Sequence, residues 1–393
     1  MKCKKILTAL LAAACTMSGC HGDLDIMQDN KLSASNMWID ESDAETATYG
    51  IYLYMRDALK SVHDIYLCWG EFRNGLWGAG TNKTLSGVDQ TQVRTSTMSS
   101  SNAYADWSVM YKTVNQANLI LKHVPEMGIS ESVRNFSLGN AYFSRAWCYF
   151  WIARIWGDAP LALTGYESTG GDLYLPRAPK AEIFARIESD LTEAERYVTD
   201  NSDKAVATPA AVQMLKADYA LWMYRVAGGG SSYLTMAEKA IEALNLSASR
   251  LESDYAQVFS SANKLNKEVI FAVHQANGEA VNGPGYYLGW NSNYVEAAYQ
   301  NNPVPITGGN QWWWYTDRYK ALLTSVEGDT RTKLTYNRAD YGTTIKSIEW
   351  TEKGVGQMIS GARIFDSDFI LYRYAEAFLM DAEIKYYRKD YGG

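Results

Sequence analysis

The stretch 131–156 sets the first constraint on the fold. Phe136, Phe143, Trp147, Phe150, Trp151 and Ile155 leave little polar surface on any side. A helix that is apolar nearly all round must be enclosed by other elements, so this one is predicted at the centre of a helix bundle. Gly157-Asp158-Ala159-Pro160 ends it, with Gly just past the last turn and Pro beyond. Its densest part, 147–156, is too short to span a bilayer and contains Arg154.

Further helices are expected on both sides. A first one over 43–58 has Ser42 as N-cap and Glu45 three residues on. Over 101–124, Tyr104, Trp107, Tyr111, Val114, Asn118 and Leu121 recur at three- and four-residue steps and form one stripe. Another begins near Pro179 and buries Ile183, Ile187, Leu191 and Ala194. Thr208 as N-cap and Pro209 in the first turn open a fifth, which runs to Gly228-Gly229-Gly230, and a sixth covers about 233–245. Short connections between successive helices read as antiparallel pairs in an all-α, tetratricopeptide-like scaffold, although no clean fixed-period repeat is present.

The character of the chain changes after Leu246. Residues 268–273 read as a buried strand, whereas 274–361 is rich in Gly, Asn, Pro, Tyr and Trp and has little helical period. A long irregular stretch inside a compact protein marks a functional loop region. Helix is expected again from Phe369 to Tyr387.

The N-terminus carries a different signal. Lys2, Lys4 and Lys5 precede an apolar run from Ile6 to Met17, and Met17-Ser18-Gly19-Cys20 closes it with small residues. The run is too short for a membrane span and reads as a secretory signal peptide over 1–19. A cleavage motif ending on cysteine resembles the lipobox of bacterial lipoproteins, with Met17 where Leu is usual. That resemblance implies lipidation of Cys20 and a membrane tether, since two or more acyl chains anchor stably.

Composition narrows the function. The formal charge of −7 argues against nucleic acid as a partner, because phosphate binding needs a concentrated basic face. With Cys3 and Cys15 removed with the signal peptide and Cys20 carrying lipid, Cys68 and Cys148 remain; they could pair, but a buried free thiol fits the apolar run around Cys148 better. No metal or cofactor is expected. The four histidines (His21, His63, His123 and His274) are scattered, and there is no nucleophile elbow, phosphate loop or dinucleotide fingerprint.

With 28 Tyr, 13 Trp and 10 Phe, many rings belong to the core, but so many with polar tips also suit a carbohydrate- or peptide-facing surface. Gln311-Trp312-Trp313-Trp314-Tyr315 is the first candidate, because three consecutive indoles cannot all enter one core. The second runs from Asn282 to Tyr294: Gly283, Pro284 and Gly285 set a turn, and Tyr286, Trp290 and Tyr294 supply stacking faces beside Asn291 and Asn293. A self-packed surface loop is the alternative for that segment. Asn74 and Trp77, in the run from Trp69 to Trp77, are the third candidates, with Trp69 assigned to the core. Asn118 reads as a buried amide bonded to backbone. Arg145, Arg154 and Asp158 read as ion pairs or caps, Asp329 with Arg331 as a structural pair, and Arg373, Glu376, Asp381 and Glu383 as ordinary helix charge pairs.

Several of these blocks, in their order, resemble the SusD/RagB family of outer-membrane lipoproteins of Bacteroidetes. They are Trp107-x3-Tyr111-x5-Ala117-Asn118, Ser144-Arg145-Ala146 running on to Trp156-Gly157-Asp158-Ala159-Pro160-Leu161, and Ile183-x3-Ile187-x2-Asp190-Leu191. Asn266-Lys267-Glu268-Val269-Ile270-Phe271, Gly328-Asp329-Thr330-Arg331 and Arg373-Tyr374-Ala375-Glu376 complete the set. The resemblance implies a lipid-anchored protein of the cell outer membrane, facing the exterior. Such a protein captures oligosaccharides, or peptides in some members, and delivers them to a SusC-type TonB-dependent transporter. It also implies a tetratricopeptide-like helical region over 20–265 and an irregular, loop-rich ligand-binding region over 266–393, shorter at its C-terminus than is usual. Family binding sites often draw an aromatic and a polar residue from the early loop that holds Asn74 and Trp77. The family has no catalytic step; a surface glycoside hydrolase is the rival class, since paired carboxylates are set in three dimensions.

Overall fold

The computed structural model describes residues 37–80, 88–168, 170–171, 173–276, 278, 283–309, 311 and 313–392. The signal peptide 1–19, Cys20 and Trp312 lie outside the described residues. The expected all-α, tetratricopeptide-like scaffold is present, with only short strands beside it. In chain order the helices are α1 (Glu41–Gly70), α2 (Val88–Thr95), α3 (Ser108–His123), α4 (Glu131–Trp156), α5 (Lys180–Tyr197), α6 (Pro209–Arg225), α7 (Ser231–Ala243), α8 (Tyr255–Val258), α9 (Asp317–Leu323), α10 (Thr330–Thr335) and α11 (Tyr374–Arg388).

Helix α4 is the central element that its composition requires. It packs against α5, α3 and α1, and Phe143, Trp147, Tyr149 and Phe150 are all buried. The same core includes Ile51 and Met55 from α1, Ile187 from α5 and Leu215 from α6. A buried polar clasp pins three helices together: Arg145 donates to both Asp190 oxygens at 2.8 and 2.7 Å and to Asn118 Oδ1 at 2.7 Å. Asn118 Nδ2 in turn donates to the Ala162 carbonyl at 3.0 Å. Each buried polar atom of the clasp thereby meets a partner, as its burial demands.

Local details depart from the sequence reading at element ends. The first helix starts earlier, at Glu41, because Asp40 rather than Ser42 is the N-cap and exchanges a reciprocal capping box with Asp43. The third begins only at Ser108, whose N–H donates to Asp106 Oδ1 at 2.8 Å, while 103–105 form a separate single turn. Thr208 caps α6 as expected, accepting from the Ala211 N–H. Cys68 and Cys148 are both buried free thiols.

The strands are β1 (Trp77–Ala79), β2 (Ala159–Pro160), β3 (Arg177–Ala178), β4 (Val269–Val273), β5 (Trp313–Tyr315), β6 (Asn337–Ala339), β7 (Ile348–Trp350), β8 (Gln357–Ile359), β9 (Ala362–Ile364) and β10 (Phe369–Arg373). They form two-stranded antiparallel ribbons, β1 with β5, β2 with β3, β4 with β10, β6 with β7 and β8 with β9. The expected helix over 369–387 is therefore a strand as far as Arg373 and a helix only from Tyr374. Strand β4 is buried along its whole length, and its backbone needs a hydrogen-bonding partner that β10 supplies. Phe271 and Phe369 from this ribbon join the helical core, so the irregular part is rooted in the scaffold.

Beyond that root, the loop-rich part has two small cores of its own. One gathers Phe72, Trp77, Leu288, Trp313, Trp314 and Tyr315, and the other Trp290, Val295, Val304, Ile348 and Trp350. Gly356 is required where β8 meets β9: its φ is 68°, and a Cβ there would lie 1.8 Å from the Ile364 carbonyl oxygen.

Candidate functional site

Strand pairing between β1 and β5 builds the site. Trp77 stands opposite Tyr315 and Ala79 opposite Trp313, so segments far apart in sequence share one ribbon. The turn into β1 is fixed locally. Asn74 Oδ1 accepts from the Leu76 N–H at 2.8 Å, Asn74 Nδ2 donates to Glu71 Oε2 at 2.7 Å, and Gly75 takes φ 78°. Past β5, the Thr316 N–H donates to the Leu76 carbonyl at 2.8 Å, and the Thr316 hydroxyl caps α9 through the Tyr319 N–H.

Beside this ribbon lies a cavity of about 390 Å3, within the ~300–1,000 Å3 usual for small-ligand sites. Its wall includes Tyr66, Glu71, Trp77, Phe259, Tyr315, Tyr319 and Lys353. The Trp77 and Tyr315 rings meet edge to face at 4.8 Å, and Tyr315 meets Tyr319 at 4.9 Å. Burial raises the phenol pKa values of both Tyr315 and Tyr319, so the two hydroxyls remain neutral donors. Across the cavity the Lys353 ammonium stands 4.4 Å from the Phe259 ring centroid. Desolvation, and secondly the charge of Arg373, push Lys353 down to about 8. Aromatic edges, phenol hydroxyls and the Lys353 ammonium form an arrangement suited to polyol recognition, with apolar faces for ring C–H groups and donors for hydroxyls.

Other hollows lie among the described residues. One of about 430 Å3 lies beyond Phe259 and Ser260 and is lined by Asn301, Pro303, Glu352 and Arg363. A shallower groove of about 780 Å3 runs along the helical scaffold between Tyr54, Trp107, Tyr111 and Tyr166. Among the described residues, no group of three or more His, Cys, Asp or Glu is placed to hold a metal, and no helix is long and apolar enough to cross a membrane.

The aromatic candidates separate on this geometry. Trp77 lines the cavity, and Asn74 is exposed at the turn beside it. Trp290, Trp313 and Trp314 correct the expectation of ligand-facing indoles, for each is at most 1 % exposed. Trp290 donates its indole N–H to the Glu349 carbonyl at 2.7 Å, and Trp314 donates to Glu349 Oε2 at 2.8 Å. Trp313 packs on Phe72 at 5.4 Å and on Tyr287 at 6.0 Å. Successive side chains of β5 alternate between its faces, but Trp313 and Trp314 both join the same small core, so neither ring reaches solvent. Tyr286 and Tyr294 are half-buried and lie away from the cavity wall. Tyr286 accepts from the Gly308 N–H at 3.1 Å and packs on Phe365, whereas Tyr294 packs on Trp290 at 5.9 Å.

Sequence reasoning missed Tyr66, Phe259, Tyr319 and Lys353, and included Tyr315 only as the end of the 311–315 segment. Tyr315 was within reach, because two-residue alternation from Trp313 puts it on one face with that ring. Lys353 carried no local signal.

Comparison with known proteins accords with this architecture. Residues 79–222 match the SusD-like family profile described as starch-binding associating with outer membrane. A SusD-like protein of Formosa agariphila, P38, is 26% identical over 190 residues, which cover 48% of this chain and 36% of that protein. The chain thus spans about a third of the length of the curated relative it matches. A SusD superfamily protein from Bacteroides fragilis superposes with a TM-score of 0.75 at 26% identity, covering 90% of this chain and 76% of that one. Surface glycan-binding protein A from Bacteroides thetaiotaomicron, in complex with laminarihexaose, shares the fold with a TM-score of 0.71 at 17% identity, over 90% of this chain and 80% of that one.

Proposed function

We propose, from the premise that this chain belongs to the SusD/RagB family, that it captures oligosaccharides in the cavity beside the β1–β5 ribbon and delivers them to a SusC-type TonB-dependent transporter. The observation that carries this reading is the pairing of Trp77 with Tyr315 on the wall of an aromatic-lined cavity. Trp77, Tyr315 and Tyr319 supply ring edges and faces to the sugar, and Asn74 stands at the rim. The protein binds its ligand and does not cleave it. Lipidation of Cys20 holds it on the outer membrane with the cavity facing the exterior, and the helical scaffold docks on the transporter.

The test is titration of the full chain, solubilised in detergent, with β-glucan, α-glucan and acidic oligosaccharides and with peptides, followed by product analysis. Saturable, cleavage-free binding to a glycan is expected, with a dissociation constant in the micromolar to millimolar range, roughly 4–8 kcal/mol. Aromatic contacts contribute ~0.5–1.5 kcal/mol each. Trp77→Leu with Tyr319→Ala should therefore weaken binding about 5- to 150-fold while the protein still melts cooperatively. Unchanged affinity in that folded variant would move the site elsewhere. Shortened products would make the protein a hydrolase, and binding of peptides alone would replace the glycan as cargo.

A further inference from the structure

The cations around the cavity differ in one respect. Lys264 is engaged by Asp366 at 3.2 Å and by the Gln275 carbonyl. Arg373 pairs with Glu268 at 2.8 Å, and Lys320, which follows Tyr319, with Glu349 at 2.7 Å. Lys353 has an ion pair or side-chain hydrogen bond with none of the described residues. Its ammonium lies against ring faces instead, 4.4 Å from the Phe259 centroid and 6.0 Å from that of Tyr255. Arg373 approaches the same two rings at 6.0 and 5.9 Å, adding positive potential rather than a counter-charge. Glu71, the carboxylate on the cavity wall nearest in effect, is exposed, hydrogen-bonded by Asn74 and outside ion-pair reach of Lys353.

An ammonium partly stripped of water with no anion beside it carries a cost, and desolvated charges in folded proteins are ordinarily paired. Ring faces offset part of that cost but leave the three N–H donors without an acceptor. A ligand that brings its own anion into the cavity would supply it. We propose that Lys353 makes the cavity selective for glycans bearing an anionic group, a carboxylate or a sulfate ester, seated against its ammonium. The inference rests on the glycan-capture reading given above and narrows the substrate class of the same cavity.

The experiment compares three probes of equal length on the full chain: a neutral β-glucan tetrasaccharide, an oligogalacturonate and a sulfated galactan oligosaccharide. At least one acidic probe should bind ~10-fold or more tighter than the neutral one, as one charge-assisted contact provides. Which acidic probe binds distinguishes carboxylate from sulfate. Lys353→Met should abolish that discrimination, so that the acidic probes bind no tighter than the neutral one, while the unliganded variant melts no lower than the parent. Lys353→Arg should retain a preference for the anion. Equal binding of neutral and acidic probes, or acid preference surviving in Lys353→Met, overturns this inference and leaves glycan capture standing. Failure of all three probes, and of the wider oligosaccharide panel, overturns both.

Discussion

Glu349 joins the two small cores beneath the cavity, and replacing it tests how the site is held. One carboxylate oxygen accepts from Trp314 Nε1 at 2.8 Å and from Lys320 Nζ at 2.7 Å, and the other from the Tyr336 hydroxyl at 2.9 Å. Trp290 and Gln311 donate to its backbone carbonyl, at 2.7 and 2.8 Å, so those two bonds survive a side-chain change. In Glu349→Leu the buried indole N–H of Trp314 is stranded, at a cost of about 1–3 kcal/mol. Tyr336 is half-buried and loses a bond worth about 1 kcal/mol. Lys320, with a side chain 21% exposed and Asp317 at 3.5 Å, turns to water at little cost. The leucine returns roughly 1 kcal/mol of apolar burial, so the net loss is about 1–3 kcal/mol. Glu349→Gln keeps an acceptor for Trp314 and should lose less. Urea unfolding at pH 7, followed by indole fluorescence, measures both variants. A Leu variant as stable as the parent, or less affected than Gln, would refute the assignment of Glu349 as the common acceptor.

Two other substitutions bear on the scaffold. Arg145→Met leaves the fully buried Asp190 carboxylate without its bidentate partner and should destabilise by about 3–5 kcal/mol in urea unfolding; Arg145→Met with Asp190→Leu should regain much of that loss. Glu376 is held at a pKa of about 7 in the folded protein, first by burial and then by the charge of Asp218. A folded pKa raised above the ordinary 4.5 means that its stabilisation is complete below about pH 4.5 and is lost as pH rises through 7. Glu376→Gln should therefore flatten the fall in stability between pH 5 and 8, by at most about 3 kcal/mol, as read from melting curves across that range; an unchanged slope would refute this.

Much of the scaffold was legible because its signals are local. The all-round apolar character of 131–156 dictates a central helix, and Thr208 with Pro209 marks the start of α6 to the residue. Asn118 could be read as a buried amide from its place on an apolar stripe, and the family from an ordered set of short blocks. The pairing of β10 with β4 was not legible, since Phe369 to Arg373 suits helix or strand until a partner with unsatisfied backbone lies beside it. Aromatic abundance pointed to the segments 69–77 and 311–315, which meet in the β1–β5 ribbon, and to Trp77 on the cavity wall, but not to Tyr66, Phe259 or Tyr319. Sequence determines that Trp313 and Trp314 point to opposite faces; only the fold decides that both faces are covered, and that Trp77 and Tyr315 border the cavity instead. Lys353 shows the division most clearly. A lone lysine in a polar stretch carries no sequence signal, and its ring-faced setting, without an ion pair among the described residues, arises only when distant segments bring Phe259, Tyr255 and Arg373 around it. Local chemistry fixes which elements form, whereas burial and pairing are properties of the whole packed chain and exist only in three dimensions.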